Sequence, residues 1–252
     1  MKIFKKFEKS EIGSVKQKIL RNILASAHRI VRGLGNRFLN KSLVQPRQFS
    51  NVILRHYAPA FTGDVINVSG WRDEDQAGFL YRSYFTAATS YVVSNSGEPV
   101  KGIGSHADEF EIDLSVPIAA DLKNRYDVVF NHTTLEHVFE IKTAFKNLCE
   151  MSRDAIILVV PVLQQIHFSE GYGDYNRLTT MGIVKSFEEN GFETIVLQTN
   201  EQEFAPIYCV AIAVRADSKY KHILEKNLDF AMGGELWGSK INTEHISKHV
   251  SI

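Results

Sequence analysis

Ala155-Ile-Ile-Leu-Val-Val160 is an unbroken apolar run, mostly β-branched, closed by Pro161. Such a run reads as a central strand covered on both faces. Proline ends it because it cannot donate to a sheet ladder. Upstream, Tyr126-Asp-Val-Val-Phe-Asn131 reads as a second strand. Thr133 and Glu136 have capping-box spacing and predict a helix with the apolar face Leu135, Val138, Phe139, Phe145 and Leu148.

The pattern continues outward in both directions. Asp64–Val68, Tyr91–Ser94 and Phe110–Asp113 read as strands on the N-terminal side. Glu193–Gln198 and Pro206–Val214 read as strands on the C-terminal side. Helices are predicted over Trp71–Thr89, near residues 117–124, over Thr180–Asn190 with Gly191 as a left-handed cap, and around Lys219–Asp229. Trp71-Arg-Asp-Glu-Asp75 then becomes a charged helix opening, with its acids suited to the helix dipole. Strand–helix alternation predicts an α/β fold: a doubly wound, Rossmann-like, mostly parallel sheet with helices on both faces.

Ahead of the sheet, Ile12, Val15, Ile19, Ile23, Ala27, Ile30 and Leu34 recur at helical steps until Gly33 and Gly35. Residues 40–62 read as a connector punctuated by Pro46 and Pro59. Three regions are expected: a basic helical extension over 1–60, the α/β domain over 61–215, and a C-terminal helix and tail over 216–252.

Composition narrows the function. The 252 residues hold 29 Lys/Arg and 29 Asp/Glu, for no net charge. That argues against a nucleic-acid partner. Residues 1–60 carry 13 basic residues against Glu8 and Glu11, so this segment is +11 and the remainder −11. The helix over 14–33 has three available fates: packing on the domain, pairing in a homodimer, or lying on an anionic membrane surface. No run approaches a membrane span, and MKIFKKFEKS lacks a secretory signal's apolar stretch, so a cytoplasmic protein is expected, with membrane association only through that helix. Cys149 and Cys209 lie in apolar runs and read as buried free thiols. The nine histidines show no HxxxH or HxH spacing, so no metal site is expected. Gly102-Ile-Gly104 has no strand directly ahead of it and reads as a turn.

Ligands of doubly wound sheets bind beyond the carboxyl ends of the strands, at the switch point. The segment Tyr126-Asp-Val-Val-Phe-Asn-His-Thr-Thr-Leu-Glu-His-Val138 sits at such an end. It is similar to the fourth-strand motif of class I S-adenosylmethionine-dependent methyltransferases. Ala155–Pro161 resembles that family's fifth strand, and residues 167–192 the segment that follows. Val65-Ile-Asn-Val-Ser-Gly-Trp71 falls where the family's glycine-rich first loop belongs, as a variant with Asn67 at the acidic position and Gly70 as its one glycine.

The resemblance implies S-adenosylmethionine as cofactor, held by Asn67, Ser69, Gly70, Trp71, Ser94, Asn95, Asp113, Leu114, Asn131 and His132. Ser94 and Asn95 stand where the family usually places the acid that binds the ribose. Arg72 is a further candidate, for the cofactor's carboxylate. His137 is weighed between the site and a packed helix histidine.

On the acceptor side, His167 is the candidate base because its unperturbed pKa suits proton transfer near neutrality. Asp174 could orient it or replace it. Tyr172, Tyr175 and Arg177 would shape the acceptor pocket. The implied activity is methyl transfer, by expectation O-methylation, to a small-molecule or glycan-type acceptor, the glycan coming from the variant motif's likeness to polysaccharide-biosynthesis enzymes. The competing expectation is a methyltransferase-like domain with weak or lost cofactor binding that serves as a non-catalytic partner subunit. A nicotinamide enzyme would need GxGxxG after the first strand, which is absent.

Overall fold

The computed structural model describes residues 26–27, 46–97, 104, 109–169, 171–200 and 208–230. Eight strands form one sheet in the order β3-β2-β1-β4-β5-β7-β6-β8. They are β1 (Gly63–Val68), β2 (Ala88–Asn95), β3 (Phe110–Glu111), β4 (Tyr126–His132), β5 (Ser152–Pro161), β6 (Phe192–Thr199), β7 (Tyr208–Arg215) and β8 (Asn227–Leu228). β1 to β5 pair in parallel, β7 runs antiparallel to both β5 and β6, and β8 pairs in parallel with β6. The Rossmann-like, mostly parallel sheet is thus present.

β5 alternates sides along its length. Ile156, Leu158 and Val160 join one core, while Ala155, Ile157 and Val159 join the other. Burial of both sets is why the run reads as continuously apolar. Helices α2 (Ile141–Met151) and α3 (Thr180–Glu189) cover the first face. Helix α1 (Pro46–Tyr57) covers the second.

α1 corrects two expectations. Residues 40–62 contain a helix and not only a connector, and the compact unit carrying the sheet begins at Val44, not near residue 61. Pro46 is the first helical residue, where a missing N–H costs nothing. Leu54 and Tyr57 are buried, with Phe49 and Ile53 packed beside them. The helix predicted over 14–33 lies outside the described residues except for Ser26 and Ala27, which are helical and exposed. Gly102 and Ile103 also lie outside them.

The expected helix over 71–89 does not form. Ser69, Trp71, Asp73 and Gln76 adopt left-handed backbone, and the segment closes with a 3₁₀ turn at Tyr81–Tyr84. Its acids are hubs of a folded loop. Asp73 accepts from Asn67 Nδ2 at 2.8 Å, Tyr91 Oη at 2.7 Å and the Arg82 amide at 3.0 Å. Asp75 accepts from the Ala77 and Phe79 amides, from Arg55 and from Tyr84 Oη. Buried carboxylates collecting loop amides outcompete a helix that has no apolar stripe.

The predicted helices near 117–124 and 219–229 shrink to 3₁₀ turns at Ala120–Leu122 and Lys219–His222. The chain then adds β8, which joins the edge of the sheet. Gly191 has the left-handed φ of 78° that its position demanded. Both cysteines are free and buried, and burial pushes their thiols up.

Candidate active site at the switch point

β1 lies between β2 and β4, where the order of strand addition reverses. A cavity of about 570 Å³ opens there at the carboxyl ends. That volume is ordinary for a small-molecule or cofactor site. Ser69 and Trp71 line it after β1, Ser96 and Gly97 after β2, and Glu111 to Ser115 from the last residue of β3 onward. Thr133, Thr134 and His137 to Glu140 line it after β4, and Gly171 to Gly173 with Tyr175 complete it.

Of the residues expected to hold a cofactor, Ser69, Trp71, Asp113 and Leu114 reach the cavity. Asp113 Oδ1 accepts from the Ser115 amide at 2.8 Å and from Ser115 Oγ at 2.7 Å. The other expected residues are absent from its wall. Asn67 is buried against Asp73. Asn95 is buried, and its Oδ1 accepts the Trp71 amide at 2.7 Å while its Nδ2 donates to Glu109. Ser94 is buried and its carbonyl accepts the Gly70 amide. Asn131 Nδ2 donates to the Val68 carbonyl, tying β4 to β1. These residues build the loop that faces the cavity without facing it themselves. Arg72 lies over the Trp71 ring.

His132 turns to the opposite face. Its ring stacks beside Tyr81 and meets Ser50 and Arg47 of α1. The Arg47 guanidinium donates to Nδ1 at 2.9 Å. Burial, with Arg47 adding to it, holds the imidazole well below its usual pKa and therefore neutral. Strand alternation explains the turn: β4 sends successive side chains to opposite faces.

After β4 the structure departs from the capping-box reading. Thr133 is left-handed with φ 51°, and Leu135–His137 is a 3₁₀ turn. α2 starts only at Ile141, leaving Phe139 exposed. The 3₁₀ turn is clamped by the loop ahead of α3. The Tyr175 and Asn176 amides donate to the Glu136 carbonyl, and Asn176 Nδ2 donates to the Val138 carbonyl.

The clamp gathers the acceptor-side groups. His137 Nδ1 lies 2.6 Å from the Gly173 carbonyl and Nε2 lies 3.8 Å from Glu136 Oε1. The His137 ring meets His167 and Tyr172 edge-on, with centroids 4.9 and 4.7 Å apart. The His167 amide donates to Asp174 Oδ2 at 2.7 Å, and its Nδ1 lies 3.3 Å from the same oxygen. Glu136 is buried, neither carboxylate oxygen has a hydrogen-bond partner, and burial pushes its carboxyl up to about 7.

One acceptor-side expectation changes. Arg177 does not face the cavity; both its terminal nitrogens hold Asp174 in a two-pronged pair. That pair brings the Asp174 carboxyl down to about 2, so it carries its charge beside His167. Tyr172 and Tyr175 do line the cavity.

Sequence reasoning missed Glu111 and Glu136. Glu111 pairs in register with Asn95, and its carboxylate lies against Gly97, where an added Cβ would approach Oε1 to 2.4 Å. Only strand register reveals that proximity. Glu136 was masked by its fit to a capping box. Histidine spacing also missed the grouping of Glu136, His137 and His167, because His167 arrives from a separate loop.

Sequence comparison finds no matching family model and no matching curated protein. Several solved structures have a similar chain trace. Magnesium protoporphyrin IX methyltransferase from Synechocystis PCC 6803 is 15% identical, with 68% of this chain and 83% of that one covered and a TM-score of 0.43. Burkholderia thailandensis 1,6-didemethyltoxoflavin-N1-methyltransferase is 14% identical, covering 76% and 87%, with a TM-score of 0.48. An S-adenosylmethionine dependent methyltransferase from Mesorhizobium loti is 10% identical, covering 65% and 96%, with a TM-score of 0.48. Each of the three is a methyltransferase by its own description.

Proposed function

We propose that the chain is an S-adenosylmethionine-dependent methyltransferase acting on a hydroxyl of a small-molecule or glycan-type acceptor. The observation that carries the reading is the cavity at the switch point. Carboxylates and hydroxyls line one side of it, and His137, with Tyr172 and Tyr175, lines the other. The chain's own residues fit the cofactor. Glu111 offers a carboxylate for paired hydroxyls, making good the acid missing after β2, and Asp113 offers one for an exocyclic amine. Ser69 and Trp71 would flank the ligand from β1.

Bound there, S-adenosylmethionine supplies an electrophilic methyl group. The protein's part is alignment and exclusion of water. The exposed rings of Phe139 and Tyr175, 5.6 Å apart, offer an apolar rim for the acceptor. The hydroxyl proton is removed on the side where Glu136, His137 and His167 meet, with Asp174 fixing His167.

A non-catalytic partner role is the second reading. It is favoured by the inward turn of Asn67, Ser94, Asn95 and Asn131, which leaves the cofactor side with few donors. Calorimetric titration of the full chain with S-adenosylmethionine and S-adenosylhomocysteine separates the two. Saturable binding is expected, and Glu111→Ala is expected to weaken it by about 1.5–3 kcal/mol, the worth of a charged hydrogen bond. No heat with either ligand would leave the partner role standing.

The basic N-terminal segment carries a separate part of the proposal. Its +11 charge suits an acidic partner surface or an anionic membrane. Among the described residues no helix is long and apolar enough to cross a membrane.

A further inference from the structure

Glu136, His137 and His167 each present a donor atom, and the three atoms lie within 4.8 Å of one another. We propose that this trio is a binding site for a divalent first-row transition-metal ion, at the acceptor edge of the cavity.

The first argument is the order of the histidine nitrogens. His137 Nδ1 donates to the Gly173 carbonyl at 2.6 Å. His167 Nδ1 faces Asp174 Oδ2 and the Gln165 carbonyl, each at 3.3 Å. Both rings therefore carry their proton on Nδ1, which makes Nε2 the ligating nitrogen of each; that of His137 lies towards Glu136 Oε1. A carbonyl or carboxylate behind one nitrogen fixes the tautomer and raises the basicity of the other, the usual support of a metal-bound histidine. Asp174 is itself held by both terminal nitrogens of Arg177, so the support behind His167 is rigid.

Glu136 provides an independent argument. Its side chain is 1% exposed, its Oε1 points at His137 Nε2 from 3.8 Å, and neither oxygen is hydrogen-bonded. A buried carboxylate without partners is costly. A dication between it and two imidazoles removes that cost. Arg177 lies near Glu136 but is already neutralised by Asp174.

Two imidazoles and one carboxylate make a borderline donor set. It suits zinc, cobalt or manganese better than magnesium or calcium, which want oxygen ligands. Ligand bonds of about 2.0–2.2 Å require the three donors to draw together by roughly 1 Å, within reach of side-chain rotation. His137 lines the cavity and the His167 side chain is 38% exposed, so an ion held there would be within reach of solvent and of the cavity. A hydroxyl bound there would lose its proton more readily. That last step rests on the methyltransferase reading; metal binding itself does not.

The test uses the full chain stripped with chelator and titrated with Co²⁺ alone, followed by visible d–d absorption, with Zn²⁺ as competitor. One equivalent is expected to bind and to be displaced by Zn²⁺. Glu136→Gln and His167→Ala should each weaken binding by about 100-fold or more. Asp174→Asn, behind the ligand, should weaken it about 10–100-fold. Zn²⁺ should raise the melting temperature of the wild type and not that of Glu136→Gln. This isosteric change removes no hydrogen bond and keeps a folded comparison available. Undiminished Co²⁺ affinity in Glu136→Gln and His167→Ala, or no Co²⁺ binding by the wild type, overturns the proposal. A negative cofactor titration would leave this measurement unaffected, so the two failures are distinguishable.

Discussion

Gly70 was expected among the residues that hold the cofactor, and its surroundings give a different reason for glycine. An added Cβ would stand 2.4 Å from Asn67 Nδ2 and 2.6 Å from its Cγ. Asn67 cannot retreat, because it is buried and bonded to Asp73. Gly70→Ala should therefore destabilise the fold by about 1–3 kcal/mol, as overpacking does. Urea unfolding is the measurement, and an unshifted midpoint would count against this account. His132 titrates in the opposite direction from a catalytic base. Its folded pKa lies well below the 6.5 expected of the unfolded chain. Below pH 6.5 the unfolded state binds a proton that the folded state refuses, so stability falls as the solution is acidified from there towards the folded pKa. The slope from this one group approaches about 1.4 kcal/mol per pH unit. His132→Gln should unfold with a shallower dependence between pH 6.5 and 5; equal slopes would show that His132 is not neutral in the fold.

The segment between β1 and β2 shows that acids in sequence are not equivalent in space. Asp73, Glu74 and Asp75 look alike as helix-opening charges, yet Asp73 and Asp75 are buried and Glu74 is exposed. Asp75 alone secures two amides, Arg55 and Tyr84. Asp75→Ala should cost about 3–5 kcal/mol, as loss of one member of a buried charged network does. Glu74→Ala should change stability by less than about 0.5 kcal/mol. Chemical denaturation of the two variants side by side tests the contrast, and similar midpoints would refute it. The turn after β4 has the same character. Leu-Glu-His was legible as a motif, but its conformation is set by loop 171–176, which contributes Gly173 behind His137 and the amides on Glu136. No local signal in residues 133–138 encodes that contact.

At the scale of the whole molecule, Val44–Ile252 is a compact unit of its own, and α1 seals one face of its sheet. A chain lacking residues 1–43 should unfold as cooperatively as the full chain, with circular dichroism giving the same melting transition to within a few degrees. Loss of cooperativity would show that the basic segment completes the domain. By itself the sequence determined the strands other than β8, their burial and the doubly wound class, because apolar runs and alternation are local consequences of two-sided burial. It also located the cavity, since the carboxyl edge of a strand is known once the strand is. Only tertiary structure decided which side chains line the cavity and which gather beside it. His132 faces α1 because β4 alternates, Asn67 is turned to Asp73, and Asn131 ties β4 to the end of β1. Glu111 lies beside Gly97 because β3 pairs with β2, and Glu136, His137 and His167 meet because a loop folds over a 3₁₀ turn. Those proximities arise from register and from contacts across some thirty residues or between strands, and neither is written in the spacing of a single segment.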